Sequence, residues 1–136
     1  VLCHLVPHLV NGCSITPEQA RIDFVTNDGI DKDAVTAGLA AIVAQALPVQ
    51  ISSISDAELD ANPALVKSMS VQPPRGSGQV RTIRIGGDGS GPLPAIDFQP
   101  CGGTHIASTQ EIGAVIISKT EKKGANSRRV ILSFAD

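Results

Sequence analysis

Aromatic side chains are nearly absent from this sequence: they make up 2% of its 136 residues, and there is no Trp or Tyr. The platforms on which proteins usually stack unpaired bases are therefore missing. Hydrophobic residues still account for 42% of the chain, so a core of Val, Ile, Leu and Ala side chains is expected. Domains of about 100–150 residues are common, and we expect one domain over residues 1–136.

The chain also lacks positive net charge, a long apolar run and a regular set of cysteines. Its net charge of −2 and pI near 5.9 argue against a protein that coats DNA or RNA through bulk electrostatics. No apolar run approaches the roughly 20 residues that span a bilayer. Three irregularly spaced cysteines disfavour a disulfide framework and favour a reducing compartment. We therefore expect a soluble, cytoplasmic protein without a membrane or DNA partner.

Short alternating runs of apolar and polar residues predict more strands than helices. The predicted strands cover residues 21–25, 49–55, 80–85, 114–119 and 128–134. A helix is predicted over residues 32–47 with Asp31 as its cap, and Ser55 with Glu58 predicts a capping box for a shorter one. Most connections are short, which favours antiparallel pairing. The predicted fold class is α+β, an antiparallel or mixed sheet with helices packed on one face.

Candidate chemistry concentrates in residues 97–105, DFQPCGGTH. Cys101 and His105 are four positions apart, so across a tight Gly-Gly turn a thiolate and an imidazole can converge on a borderline-soft cation such as zinc. These two residues supply half of a four-ligand site. The origin of the other half is the main question that the sequence raises.

His4 and His8 have a spacing that puts two imidazoles on one face of a helix, and they are one candidate for the missing ligands. Pro7 lies between them, and its ring disfavours a helix that continues past Val6. A helix end followed by a turn is the alternative interpretation. The first residue is Val within an apolar element, so we expect the chain to begin inside a larger polypeptide.

The order of residues around this stretch resembles one known family. The matching segments are residues 60–63 (DANP), 70–76 (SVQPPRG), 100–105 (PCGGTH), 109–113 (TQEIG), 119–124 (KTEKKG) and 128–130 (RRV). Together they resemble the second additional domain of alanyl- and threonyl-tRNA synthetases, in the form found in free-standing alanyl-tRNA editing proteins. The resemblance covers nearly the whole chain.

The resemblance implies hydrolysis of the ester that joins a wrong amino acid, mainly serine and sometimes glycine, to the tRNA for alanine. It also implies a zinc ion held by Cys101, His105 and an H-x-x-x-H pair near the start of the domain. Aligning the order of the first fifteen residues puts that pair immediately before Val1. His4 and His8 would then lie one and two turns too late, although they remain the alternative pair.

Other residues of the stretch are candidates for substrate contact. Thr104 adjoins the ligand His105 and could hydrogen-bond the substrate or simply stabilise the turn. Asp97 and Gln99 could face the pocket or lie on a strand surface. Cys3 and Cys13 are expected to be small core residues, since cysteine is among the most buried residue types.

Basic residues flank the proposed site in the loops and strands around it. Seven of the eleven Lys and Arg residues belong to this group: Arg75, Arg81, Arg84, Lys122, Lys123, Arg128 and Arg129. Such a cluster could bind the phosphates of a tRNA acceptor end without reading its sequence. Taken singly, each residue is well explained as a solvated surface charge, and only the cluster indicates RNA binding.

Three functions therefore compete. The first is a zinc-dependent aminoacyl-tRNA deacylase that takes mischarged alanine tRNA as substrate. The second is a non-catalytic tRNA-binding module or truncated editing domain, which the missing ligand pair and the acidic net charge favour. The third is an unrelated protein with a closed structural zinc site built from Cys101, His105, His4 and His8.

Overall fold

The computed structural model describes residues 1–67 and 78–135, and in this part of the chain the strands form two antiparallel sheets. In chain order the strands are β1 (Val10–Ile15), β2 (Gln19–Val25), β3 (Val49–Ser55), β4 (Gln79–Gly86), β5 (Ala95–Pro100), β6 (Val115–Lys122) and β7 (Ser127–Phe134). The helices are α1 (Leu2–Leu5), α2 (Lys32–Gln45) and α3 (Asp56–Ala61), with 3-10 turns at Pro63–Leu65 and Thr109–Ile112. The predicted α+β class is confirmed.

The four-stranded sheet has the order β1-β2-β7-β6, and the three-stranded sheet has the order β3-β4-β5. Chain neighbours β1 and β2 pair with each other, as do β6 and β7. The central pairing of β2 with β7 joins residues that are 106 positions apart at Asp23 and Arg129. Local patterns carry no signal for such a pairing, and the division into two sheets was therefore not predicted.

Helix α2 begins where predicted, because the Asp31 side chain accepts hydrogen bonds from the backbone N–H groups of Asp33 and Ala34. The helix ends at Gln45, before Pro48, since Ala46 adopts a left-handed conformation with φ of 50°. The end is thus earlier than the predicted 32–47.

The apolar face of α2 contributes to the cores of both sheets. Val35 and Leu39 are buried with Phe24 and Val130 of the four-stranded sheet. One turn further on, Ile42 is buried in a second cluster with Leu47 and with Ile96 of β5. Side chains of α2 therefore belong to the buried clusters of both sheets, and their burial helps to hold the sheets together.

Helix α1 and the Ser55 cap agree with the sequence. The residue that ends α1 is Val6, in an extended conformation just before Pro7, as the proline predicts. The Ser55 hydroxyl accepts from the N–H of Glu58 at 3.1 Å and so caps α3. A helical turn was also predicted over residues 64–70; its first residues lie in the 3-10 turn Pro63–Leu65, and residues 68–70 lie outside the described part.

None of the helices in residues 1–67 and 78–135 has both the length and the apolar character needed to cross a bilayer. Cys3, Cys13 and Cys101 are free thiols in this structure. Cys3 packs against the core of the four-stranded sheet as a half-buried residue. Cys13 is exposed, so its predicted place in the core is wrong; it lies on β1, an edge strand of the four-stranded sheet that is open to solvent along most of its length.

Candidate active site

The pairing of β4 with β5 brings Cys101 to the end of the three-stranded sheet. Thr82 lies opposite Pro100, the last residue of β5. The next backbone N–H, that of Cys101, donates to the carbonyl oxygen of Arg81 at 3.2 Å. The sheet thus fixes the backbone of Cys101, and the chain leaves the sheet immediately after it.

Cys101 and His105 come together across the Gly-Gly turn as predicted. Sγ of Cys101 lies 3.2 Å from Nε2 of His105. Two ligands of one tetrahedral zinc, with bonds of about 2.3 and 2.0–2.1 Å, would lie about 3.5 Å apart. A Cβ added to Gly103 would lie 3.6 Å from Sγ and 4.0 Å from Nε2, so the small residue leaves the space beside both atoms open. The pair therefore fits two positions of a zinc site.

Arg81 stabilises the loop that carries this pair. Its Nη1 donates to the carbonyl oxygens of Cys101 and Gly103, both at 2.8 Å. Two bonds from a single nitrogen hold the turn at both ends. The structure thus brings Arg81 to the candidate site, where its contacts are with the protein backbone.

The environment of His105 favours its neutral form. Partial burial of the imidazole lowers the pKa of His105 below its ordinary value of 6.5, and the nearby positive charge of Arg81 lowers it further. A neutral imidazole is the form that binds a metal ion. His105 is therefore suited to a ligand role at neutral pH.

Asp97 and Gln99 form a polar network on the strand that leads to Cys101. Oδ1 of Asp97 is 2.6 Å from Nζ of Lys67, and the Asp97 side chain is only 4% exposed. Nε2 of Gln99 donates to the other carboxylate oxygen, Oδ2. Burial raises the pKa of the nearby Cys3 thiol, and the charge of Asp97 acts in the same direction, while a hydrogen bond with Gln99 opposes them. Cys3 is therefore held protonated.

Thr104 lies exposed on the loop, and its hydroxyl makes no hydrogen bond to any described residue. His4 is exposed on α1, while Nε2 of His8 lies 3.9 Å from Asp28. Across residues 1–67 and 78–135, no group of three or more His, Cys, Asp and Glu side chains is placed to hold a metal ion. The four-ligand site formed with His4 and His8 is therefore absent from this structure.

The predicted basic cluster is divided between the two sheets. Arg84 lies on β4 with its guanidinium carbon 4.1 Å from the centre of the Phe98 ring. Lys122 and Lys123 lie at the tip of the hairpin formed by β6 and β7, and Lys123 pairs with Glu121 at 2.9 Å. Arg75 lies outside the described residues.

The two arginines of β7 make bonds within the protein. Arg128 donates to the carbonyl oxygens of Gly124, Ser127 and Asn27 at 2.8–3.1 Å. Arg129 binds both carboxylate oxygens of Asp23, at 2.8 and 3.1 Å. The hydrogen bonds from Arg129 lower the pKa of Asp23, although partial burial of the carboxyl opposes them. Both guanidiniums thus stabilise the four-stranded sheet as well as adding positive charge to it.

The sequence did not indicate that Lys67 contacts Asp97 or that Arg81 hydrogen-bonds to the loop of the candidate site. Lys67 follows a 3-10 turn in a segment without periodicity, and it lies 30 residues before its partner Asp97. The pairing of β4 with β5 would have indicated that Arg81 lies beside Cys101. No pattern in the sequence indicated that Lys67 would contact Asp97.

Residues 80–131 match the model of the threonyl and alanyl tRNA synthetase second additional domain. This segment runs from β4 through the Cys101–His105 loop to β7 and therefore includes the candidate site. The family resemblance inferred from the sequence motifs is confirmed. The Cys-Gly-Gly-Thr-His loop lies within the segment that matches this synthetase domain.

Two of the most similar curated relatives are alanyl-tRNA editing proteins AlaX-M. The protein from Saccharolobus solfataricus is 31% identical over 122 residues, which cover 90% of this chain and 48% of the relative. The protein from Methanosarcina barkeri is 27% identical over 131 residues, which cover 93% of this chain and 50% of the relative. An alanine–tRNA ligase from Pyrobaculum calidifontis is 30% identical over 109 residues, or 10% of its length. The chain spans about half the length of the two editing proteins.

Proposed function

We propose that this chain is an aminoacyl-tRNA editing hydrolase that removes a wrong amino acid, serine or glycine, from the tRNA for alanine. The observation that supports this proposal most directly is the Cys101–His105 pair, which lies 3.2 Å apart inside the segment that matches the synthetase editing domain. The names of the two relatives, alanyl-tRNA editing proteins AlaX-M, support the tRNA for alanine as the tRNA part of the substrate. A role in translation fidelity also fits a cytoplasmic protein with free thiols.

Cys101 and His105 would hold a zinc ion, which when bound supplies a Lewis acid that orients the substrate or lowers the pKa of a water. Arg81 keeps the two side chains together by fixing the carbonyl oxygens of the loop. The exposed Thr104 hydroxyl is available to the substrate on the same loop. Holding the ester and a water in place contributes much of the rate for an activated ester, since orientation alone lowers the barrier substantially.

Asp97 is proposed to position other groups rather than to act as a base. Both of its carboxylate oxygens are hydrogen-bonded within the protein, one to Lys67 and one to Gln99. Both oxygens are thus already bonded to donors within the protein, and through Gln99 the carboxylate orients another side chain of the site. Gln99 and Thr104 are then the side chains of this stretch that are proposed to contact substrate.

The remaining metal ligands are proposed to come from an H-x-x-x-H segment ahead of Val1. Val1 packs against the buried cluster of Ile42, Leu47 and Ile96, and Ile96 belongs to β5, the strand that leads to Cys101. Residues placed before Val1 would therefore start beside the candidate site. The histidines of such a segment could reach the same cation as Cys101 and His105.

The test is hydrolysis of seryl- and glycyl-tRNA for alanine by this chain and by a form in which an H-x-x-x-H segment precedes Val1. We expect release of the amino acid with bound zinc near one equivalent. Cys101→Ala should reduce the rate by on the order of 100-fold or more, because it removes a metal ligand. Cys13→Ala, the same change at an exposed cysteine of β1, should retain the parental rate.

Two results would contradict parts of this proposal. If Cys101→Ala deacylates as fast as the parent, the zinc assignment is wrong. If neither form deacylates seryl- or glycyl-tRNA while the parent binds tRNA, the chain is a non-catalytic tRNA-binding module. That second function is favoured by the presence of two rather than four metal ligands among the described residues.

A further inference from the structure

Lys67, Asp97 and Gln99 form a continuous chain of polar contacts that ends beside the candidate metal ligands. Nζ of Lys67 is 2.6 Å from Oδ1 of Asp97, and Nε2 of Gln99 donates to Oδ2. Asp97 is almost completely buried, so its charge has to be balanced by the groups around it. Lys67 supplies that balance, and the carboxylate in turn fixes the Gln99 amide.

This contact determines which end of the Gln99 amide is available. The NH2 group must point to the carboxylate, because the opposite orientation would put two oxygen atoms against each other. The same NH2 group is the part of Gln99 that can donate to the Cys3 sulfur and so lower the pKa of that thiol. The carbonyl oxygen Oε1 therefore points away from Asp97. No donor among the described residues bonds to it, so this oxygen of the half-buried Gln99 is available to a ligand or to solvent.

The geometry of β5 puts this acceptor on the same side as Cys101. Side chains alternate along a strand, so Asp97, Gln99 and Cys101 share one face, while Phe98 lies on the other face under Arg84. Residues two apart on a strand are separated by about 7 Å. Oε1 of Gln99 can thus reach a small molecule held at the Cys101–His105 pair.

We propose that Gln99 is a substrate-positioning residue whose Oε1 accepts a hydrogen bond from the α-ammonium group of the aminoacyl ester, with Lys67 and Asp97 holding the amide in that orientation. This inference rests on the proposed deacylase function. An aminoacyl ester carries its ammonium group one carbon from the reacting carbonyl. An oriented acceptor next to the metal ligands would hold that carbonyl in place and would disfavour esters without the amino group.

The test compares two esters of the same tRNA: seryl and 3-hydroxypropionyl, which keeps the side-chain hydroxyl and lacks the α-amino group. The measured quantity is kcat/KM for the seryl ester divided by kcat/KM for the 3-hydroxypropionyl ester. Comparing this ratio between the parent and Gln99→Leu cancels the intrinsic difference in ester reactivity. We expect the ratio to fall by about 10–100-fold in Gln99→Leu, the range for a hydrogen bond to a charged group.

Lys67→Met should move the ratio in the same direction by a smaller factor, and Lys67→Arg should restore it. Lys119→Met is the matched control, since Lys119 also pairs with a carboxylate, at 3.9 Å, on the exposed strand β6. It should leave the ratio unchanged. Circular dichroism verifies that each variant is folded, and Gln99→Met replaces Gln99→Leu if the latter is not.

The outcomes separate the two proposals. If the parent hydrolyses seryl-tRNA and Gln99→Leu lowers kcat/KM equally for both esters, the inference is overturned while the deacylase function stands. If Gln99→Leu impairs seryl- but not glycyl-tRNA, the acceptor binds the serine hydroxyl, and the inference is likewise overturned. If neither the parent nor the form with an H-x-x-x-H segment ahead of Val1 hydrolyses seryl-tRNA, the proposed function itself fails.

Discussion

A single guanidinium determines the shape of the loop that carries the candidate metal ligands. Arg81 bonds to the carbonyl oxygens on both sides of the turn, at Cys101 and Gly103, and its charge also favours the neutral form of His105. Groups that orient metal ligands without touching the metal often matter nearly as much as the ligands do. At the scale of the residue, the site therefore depends on Arg81 as well as on Cys101 and His105.

Arg81→Met is expected to weaken zinc binding by roughly 10–100-fold, because the loop loses both hydrogen bonds and samples more conformations. Competition with a chromophoric chelator measures the affinity. Arg21→Met is the control, since Arg21 is likewise a hydrogen-bonded strand arginine, which binds Asp23 in the other sheet. Equal zinc affinities for Arg81→Met and the parent would contradict the proposal that Arg81 holds the loop in the conformation that binds zinc.

At the scale of elements, the 3-10 turn after the site is tied to the end of α2 by a buried threonine. Oγ1 of Thr109 accepts from the N–H of Leu47 at 2.9 Å and donates to the carbonyl oxygen of Ile42 at 2.8 Å. These backbone groups lie near the helix end, where they have no partner within the helix. The side chain is 1% exposed, so water cannot replace it.

Thr109→Val should lower the free energy of unfolding by about 2–4 kcal/mol, since it leaves two buried backbone groups unpaired at about 1–3 kcal/mol each. Urea denaturation measures the loss. Thr109→Ser keeps both hydrogen bonds and removes one methyl group, so its loss should stay near 1 kcal/mol. A larger loss for Ser than for Val would show that packing, rather than hydrogen bonding, dominates at this position.

At the scale of the whole molecule, the positive charge that remains available to RNA is unevenly distributed. The net charge is −2, so long-range attraction does not bring RNA to the protein as a whole. Arg128 and Arg129 are bonded to groups of the protein, whereas Lys122 at the hairpin tip has no ion pair with a described residue. We expect phosphate contacts to depend more on the hairpin tip than on the arginines of β7.

Lys122→Gln is therefore expected to reduce the dependence of tRNA affinity on salt. Removing one lysine–phosphate interaction should lower the slope of log K against log salt concentration by about 0.7–0.9. Fluorescence anisotropy over a series of salt concentrations measures the slope. Lys32→Gln at the exposed start of α2 should leave it unchanged. An equal slope in Lys122→Gln and the parent would show that Lys122 at the hairpin tip makes no contact with an RNA phosphate.

Much of the fold was predictable wherever the determining contacts are local. Three such features depend on residues within a few positions of one another. They are the helix cap at Asp31, the helix cap at Ser55 and the end of α1 before Pro7. The same holds for Cys101 and His105, whose approach needs only a Gly-Gly turn. These features were assigned from the sequence because short-range sterics and hydrogen bonding decide them.

The sequence by itself determined the α+β class, the pairing of Cys101 with His105 and the resemblance to tRNA-editing domains. The tertiary structure decided what could not be inferred from neighbours in the chain. In the tertiary structure β2 pairs with β7, and Lys67 contacts Asp97. Arg81 donates to the carbonyl oxygen of Cys101 and so holds the loop of the candidate site. These contacts link residues about 20 to 106 positions apart. Local propensity cannot specify them, because they form only when the two sheets and α2 bury their shared apolar surface.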